Sequence, residues 1–242
     1  MFKHRGETRT LQHNLRIASL LSFVAGLVNV AGFLAVQRLT TNVTGHFAFF
    51  VDEVFKLNFL QGFIFFLYIF FFFLGSFVSS FLVELFYKRN FPYVYVLPAL
   101  IESAILLSVP LFGDLLVRDH PDALAFLLLF AMGLQNSLVT TISNAAVRTT
   151  HLTGLFTDLG IELSQLFFYK QPDQRTKLFS SIRLRLTIIC FFFIGGIVGG
   201  IFYSSLQLNV LLIAAGALML GLTLDSWIEG ITKIGKLFGR QS

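Results

Sequence analysis

Three phrases occur twice in this 242-residue chain, and in the same order. Gly26-Leu27-Val28-Asn29 returns as Gly133-Leu134-Gln135-Asn136, 107 residues further on. Thr40-Thr41-Asn42-Val43-Thr44-Gly45 returns as Thr149-Thr150-His151-Leu152-Thr153-Gly154 at an offset of 109, and Phe71-Phe72-Phe73-Leu74-Gly75-Ser76 as Phe191-Phe192-Phe193-Ile194-Gly195-Gly196 at 120. The offsets only grow, as loop insertions in a duplicated unit make them grow. Two similar units must therefore pack against each other. In a chain that is 55% hydrophobic and 13% charged, such a repeat is the signature of a transporter-like membrane fold.

A soluble domain carries about twice that charge. Charge-free apolar runs long enough to cross a bilayer lie at 17–36, 63–82, 123–142, 186–205 and 206–224, and a sixth, 93–112, is interrupted only by Glu102. The first is too long for the apolar region of a signal peptide and has no small-residue cleavage site, so it is expected to be retained. The single cysteine, Cys190, lies inside an apolar run and offers neither a disulfide nor a thiol metal site.

The net charge of +5 does not point to nucleic acid, because the basic residues sit at the ends of the runs. With six alternating spans, one side of the membrane holds 15 Lys and Arg and the other holds Arg38, Lys56 and Arg118. The positive-inside rule then puts both termini in the cytoplasm. A seventh span at 153–169 would destroy that asymmetry.

Each copy then holds three spans, 17–112 in the first and 123–224 in the second. An odd number sends the second copy into the membrane from the opposite side. The expected fold is all-α, six transmembrane helices in an inverted 3+3 repeat about a pseudo-two-fold axis in the membrane plane. Around the repeats lie a cytoplasmic segment, 1–16, an external loop, 113–122, and a cytoplasmic tail, 225–242. In that tail Trp227, Ile231, Ile234 and Phe238 share one apolar face beside Lys233, Lys236 and Arg240.

Each repeat also carries a short helix after its Thr-Gly turn, at 46–57 and 155–169, with Thr44 and Thr153 as expected N-caps. Such a helix either lies on the membrane surface or dips back toward the midplane. Leu155, Phe156, Leu159, Leu163, Leu166 and Phe167 form the apolar face a surface helix would use. Repetition of the loop sequence itself favours the packed, re-entrant form, in which the helix starts present positive dipole ends to an anion or a carbonyl.

Glu102, ten residues into its span, costs at least about 2.5–3.5 kcal/mol in lipid unless it faces the bundle interior, pairs or stays protonated. Pro98, four residues earlier, is expected to loosen that helix. Gly133, Asn136, Thr140 and Asn144 share one face of the fourth span, with Gln135, Ser137 and Thr141 beside it. Asn29 occupies the matching place in the first repeat. The candidate substrate- or ion-binding set is thus Glu102, Asn29, Gln135, Asn136, Thr140, Thr44, Gly45, Thr153 and Gly154. Glu53 and Glu162 also match, with Asp52 and Asp158 nearby, and read as a solvated helix face in which Lys56 pairs with Asp52. They join His46 and His151 as secondary candidates. Gly195, Gly196, Gly199 and Gly200, echoed by Gly75, Ser76, Ser79 and Ser80, form small-residue stripes for close helix packing across the repeat interface. Asn42-Val43-Thr44 fits a glycosylation sequon, but the repeat already explains its threonine.

No zinc-protease, nucleophile-elbow, dithiol or phosphate-loop signature occurs, so no enzyme, cofactor or metal is expected. Ala131-Met132-Gly133-Leu134-Gln135-Asn136, Val147-Arg148-Thr149-Thr150-His151-Leu152-Thr153-Gly154 and Thr157-Asp158-Leu159-Gly160 resemble the second-half signature of the YoaK-like bacterial membrane proteins, a family of unknown function. Asn42-Val43-Thr44-Gly45-His46 resembles its first-half Asn-x-Thr-Gly-Asn, and Glu102 falls where that family places an acid. Asn29 and His46 depart from the pattern, standing where Asp and Asn are expected. The resemblance implies a multi-pass inner-membrane protein.

The functional expectation is a secondary transporter or channel for a small solute, with the lipid bilayer as its medium and no nucleic-acid partner. Proton or ion coupling and homo-oligomerisation stay open. The alternative is a non-transporting scaffold or partner-binding subunit whose polar stripe only joins helices.

Overall fold

The computed structural model describes residues 9–89, 91 and 94–223, whose regular elements are helices, with no strand among them. In chain order the helices are α1 (Leu11–Val36), α2 (Thr44–Phe55), α3 (Phe59–Lys88), α4 (Val96–Leu111), α5 (Gly113–Asp119), α6 (Pro121–Ser143), α7 (Leu152–Gln165) and α8 (Pro172–Leu206). A 3-10 turn, Gln207–Val210, leads into a further helix, α9, at 211–223. The amphipathic tail expected at 225–242 lies outside the described residues.

Among the described residues, four stretches are long and apolar enough to cross a membrane: α1, α3, α6 and Pro172–Thr223. The last has 52 residues, about 78 Å if straight, more than twice the roughly 30 Å of a hydrocarbon core. It is broken at Gln207, whose φ of 50° ends α8. α4 is apolar but shorter, at 16 residues.

Local chemistry sets the helix ends. Thr10 Oγ1 accepts from the His13 amide and the His13 ring returns to the Thr10 amide, so α1 starts at Leu11, inside the segment 1–16 expected to precede it. Prolines at the first position start α6 and α8. α1 and α6 both end on a left-handed residue, Gln37 and Asn144, at the same 107-residue offset as their sequence repeat. Residues 113–119, expected as loop, form the single short helix α5. Pro98 is the third residue of α4, so the carbonyl four residues back belongs to Val94, outside the helix; the proline leaves the turn around Glu102 intact.

α1 and α6 form the buried centre, and α3 and α8 flank them. The closest packing is backbone to backbone. A Cβ added at Gly26 of α1 would lie 1.9 Å from the Phe192 carbonyl oxygen of α8, and one at Gly195 would lie 2.0 Å from that of Phe23. The equivalent contact joins α3 and α6: a Cβ at Gly75 would lie 2.1 Å from Phe130 O, and one at Gly133 2.1 Å from Phe72 O. Ser76 Oγ donates to Gly133 O at 3.1 Å in the same seam. Gly26 and Gly133 are repeat mates, as are Gly75 and Gly195, so each helix packs on a helix of the other copy. Gly199 and Gly196 extend the α1–α8 seam toward Leu27 and Val30, and Gly200 lies against Val30 at ordinary contact.

Contact order along these seams gives helix direction. Phe23 meets Gly195 and Leu27 meets Gly199, so α1 and α8 run parallel. Tyr68 meets Asp122, Phe71 meets Phe126 and Gly75 meets Phe130, so α3 and α6 are parallel too. Gln135 bonds Leu21 O while Leu128 packs on Gly32, so α1 and α6 are antiparallel. Outward, α3 exposes Phe63, Phe66, Phe70, Phe73, Phe77 and Phe81 along one stripe. Such a stripe would drive aggregation in water and is at home in hydrocarbon.

Candidate functional site

The loops that follow α1 and α6 are stitched back to those helices by the same pair of residue types. Thr41 Oγ1 donates to Asn29 Oδ1 at 2.7 Å, and Thr40 Oγ1 to Val28 O at 3.3 Å. In the second copy Asn136 Nδ2 donates to Thr150 Oγ1 at 2.7 Å, and Thr149 Oγ1 to Asn136 Oδ1 at 3.3 Å. Gln135, fully buried, donates to Leu21 O at 3.0 Å and to Thr149 Oγ1 at 3.1 Å, tying the second loop to α1. The bonds of Thr40 and Gln135 are buried and so kept out of competition with water, whereas Thr41–Asn29 and Asn136–Thr150 are half-buried; together they fix where each loop goes.

Both loops deliver a short helix to one place. A cavity of about 330 Å³ is lined by Thr41, Asn42, Val43 and Thr44 from the first loop and by Arg148, Thr150 and His151 from the second. Asn136 and Thr140 of α6 and Phe72 of α3 complete the wall. A second cavity, about 410 Å³, shares Arg148 and His151 with the first and continues along Gly154, Asp158, Ser181 and Arg185. A third, about 490 Å³, lies at the ends of α4 and α8 around Phe112, Arg118, Tyr203 and Asn209, and shares no residue with the other two.

The Thr-Gly motifs do not cap as expected. α2 begins at Thr44 itself, and the Gly45 amide donates to Asn42 Oδ1 at 3.2 Å. α7 begins at Leu152, with Thr153 already in its first turn and no side-chain cap from His151. Asn42 wins because its short side-chain carbonyl reaches the Gly45 amide three residues on. The short helices thus contain the Thr-Gly pair rather than following it. The glycines lie close under two side chains: a Cβ at Gly45 would lie 2.4 Å from Leu39 Cδ1, and one at Gly154 2.8 Å from His151 Cε1, contacts that a shift of those side-chain ends would relieve.

Other sequence candidates lie elsewhere. Glu102 is fully buried on α4, neither carboxylate oxygen has a hydrogen-bond partner among the described residues, and it lines none of these cavities. Ser79 is also buried without a partner. His46 is buried, with Nε2 2.6 Å from Leu39 O, its ring 4.6 Å from that of Tyr68 and Nδ1 unpartnered. Burial holds its pKa below the ordinary 6.5. The Tyr68 hydroxyl bridges Arg38 Nε, at 3.2 Å, and Asp122.

Glu162 departs from the solvated face read in the sequence. It is buried against α8, where Arg185 Nε donates to Oε2 at 2.8 Å and Ser181 Oγ to Oε1 at 2.6 Å. Arg185 also reaches Asp158 at 3.3 Å. The buried face of α7 is therefore Leu155, Leu159 and Glu162, while Phe156, Leu163 and Phe167 are exposed. In the first copy Glu53 accepts from Asn58 at 2.8 Å, and Lys56 pairs with Asp52 at 2.6 Å in an exposed i, i+4 bridge. No group of three His, Cys, Asp or Glu side chains that could hold a metal occurs among the described residues.

Sequence reasoning passed over Arg148. It stands between the repeated phrases, has no counterpart in the first copy, where Leu39 takes the equivalent place, and so gives no periodic signal.

Residues 17–224, which include the repeat, both loops and every cavity wall, match the family described as Protein of unknown function (DUF1275). The chain belongs to the DUF1275 family. No curated protein and no solved structure matches it. The Gly26–Gly195 and Gly75–Gly133 seams of this DUF1275 protein lie wholly inside the matched segment, as do the Asn–Thr stitches that position the two loops.

Proposed function

We propose that this DUF1275 protein is a multi-pass inner-membrane carrier or channel for a small solute, built as an inverted 3+3 repeat of six spans with both termini cytoplasmic. The opposed directions of α1 and α6, and the parallel running of each with a helix of the other copy, support the inverted arrangement. The break at Gln207 supports two spans in Pro172–Thr223, and α4 would be the remaining one. The resemblance to the YoaK-like proteins points to the same membrane.

One observation carries the transport reading. The two repeated loops, opposed in direction, meet at one cavity whose walls include threonine, asparagine, arginine and histidine side chains, and inverted-repeat carriers bind their solutes where their repeats meet. In this reading Asn136, Thr140 and Thr44 contact the solute, α2 and α7 are re-entrant, and Asn29, Gln135, Gly45 and Gly154 hold the loops in position. Glu102, a buried acid without a partner, serves a coupling proton or ion.

The scaffold reading has its own support, since Asn29, Asn136, Thr41 and Thr150 bond one another, as helix-joining side chains do. Proteoliposome uptake against a panel of small labelled solutes separates the two. A carrier gives uptake of some solute that falls at least about tenfold in Asn136→Ala. No uptake across the panel, with Asn136→Ala lowering only thermal stability, establishes the scaffold.

A further inference from the structure

We infer that the cavity between the repeated loops takes a small anion, with Arg148 as its charge partner; this deepens the transport reading and rests on it. Among the described residues, Arg148 is the only charged side chain lining that cavity, and no carboxylate lines it. The other lining polar groups include the hydroxyls of Thr44, Thr140 and Thr150, the amides of Asn42 and Asn136, and His151, groups able to donate to an oxyanion. The guanidinium is exposed and has neither an ion pair nor a hydrogen bond among the described residues.

The carboxylate that lines the neighbouring cavity, Asp158, makes no ion pair with Arg148. Asp158 is held by Arg185 at 3.3 Å, and the same arginine holds Glu162 at 2.8 Å. The second cavity is lined by two guanidiniums and one carboxylate, and with Glu162 behind Arg185 its charges balance, so the positive charge without a carboxylate beside it lies in the first cavity. Arg148 and His151 form the wall shared by both cavities, so a path from one to the other passes the unpaired cation. α2 and α7 both begin at this wall, and their dipole ends have the same sign as Arg148.

Chemistry and size together narrow the class. A planar guanidinium matches carboxylate and phosphate oxygens in pairs. A space of about 330 Å³ equals roughly eleven waters at about 30 Å³ each, enough for a small carboxylate or inorganic oxyanion with part of its hydration. An unpaired carboxylate-free site of this kind repels small cations as strongly as it attracts anions.

The test uses reagents of known charge in place of the unidentified solute. In full-length protein with Cys190→Ala, Thr140→Cys puts a thiol on the cavity wall. The protein is reconstituted in vesicles and modified with negatively and positively charged methanethiosulfonates of similar size, each rate divided by that on a free small thiol. The expected normalised preference for the anionic reagent is about tenfold. Arg148→Gln should abolish it, and Arg148→Lys, which keeps the charge, should retain most of it. Equal rates, or a preference that survives Arg148→Gln, overturn the anion assignment and leave the water-reachable cavity standing. If neither reagent reaches position 140, the cavity is closed to water and the transport reading fails with it.

Discussion

Replacing Gly26 by alanine tests the backbone seams on which this fold rests. The added methyl would sit 1.9 Å from Phe192 O and 2.8 Å from its carbonyl carbon, where ordinary contact begins near 3.4 Å. Neither atom belongs to a flexible side chain, so α1 and α8 must separate by about 1.5 Å. A gap of only 0.5–1 Å already forfeits a quarter to a half of each dispersion contact. The strain lies at the upper end of the overpacking range, about 3 kcal/mol. Alanine returns up to about 1 kcal/mol of helix propensity, leaving a net loss of about 2 kcal/mol.

Gly160 and Gly216 supply the control, because nothing lies within 4 Å of a Cβ at either place. Gly160→Ala and Gly216→Ala should therefore be neutral or stabilising by up to about 1 kcal/mol. The expected gap between the two classes is about 2–3 kcal/mol, read from unfolding midpoints in detergent titrated with a denaturing surfactant. Gly26→Ala with Gly195→Ala should lose less than the sum of the two, since one separation relieves both clashes. Gly26→Ala with Gly133→Ala, in different seams, should add. Equal midpoints for Gly26→Ala and Gly160→Ala would refute the close-contact account.

Reporter fusions after Arg89 and Arg185 should read cytoplasmic and one after His120 external; an external signal at Arg185 would sink the six-span inverted arrangement. Arg185→Gln strands the buried Glu162 carboxylate and should cost about 2–3 kcal/mol in the same unfolding assay, whereas Lys56→Gln, which breaks an exposed pair, should leave the midpoint unmoved. His46 is held below the ordinary 6.5, chiefly by burial, so the unfolded chain takes up its proton first. Stability from this residue is thus complete above pH 6.5 and is lost as pH falls from there toward the lowered folded value, a slope that His46→Gln should flatten in a melting series across pH. If uptake is found, Glu102→Gln should abolish it or shift its pH dependence while leaving the detergent-solubilised protein folded; an unchanged pH profile would make Glu102 structural.

One side of each glycine seam was legible, because Gly75 and Gly195 stand in small-residue stripes; their partners Gly26 and Gly133 recur in the repeat but sit among apolar and polar residues that give no packing signal of their own. Apolar length likewise marked α1, α3 and α6. The helix starts were harder to read, since Asn42 and Thr44 can both cap and only loop geometry chooses between them. Glu162 looked solvated because its partner, Arg185, is 23 residues away on another helix, a distance no local periodicity encodes. Arg148 escaped for the opposite reason. It breaks the repeat, and a search for matched positions discards the residue that makes two similar halves chemically different.

The glycine seams also set a schedule for synthesis. Each joins a helix of the first half to one of the second, so neither can form until both are in the membrane. Gly195 leaves the ribosome about 170 residues after Gly26, which at 5–20 residues per second is a wait of roughly 10–30 s. Throughout that interval α1 lies in the bilayer with a narrow bare groove along its backbone, open to any small-residue helix that drifts past. The nascent protein is therefore most exposed to mispairing in its first half, and a second copy emerging nearby is the stranger best shaped to fill the groove.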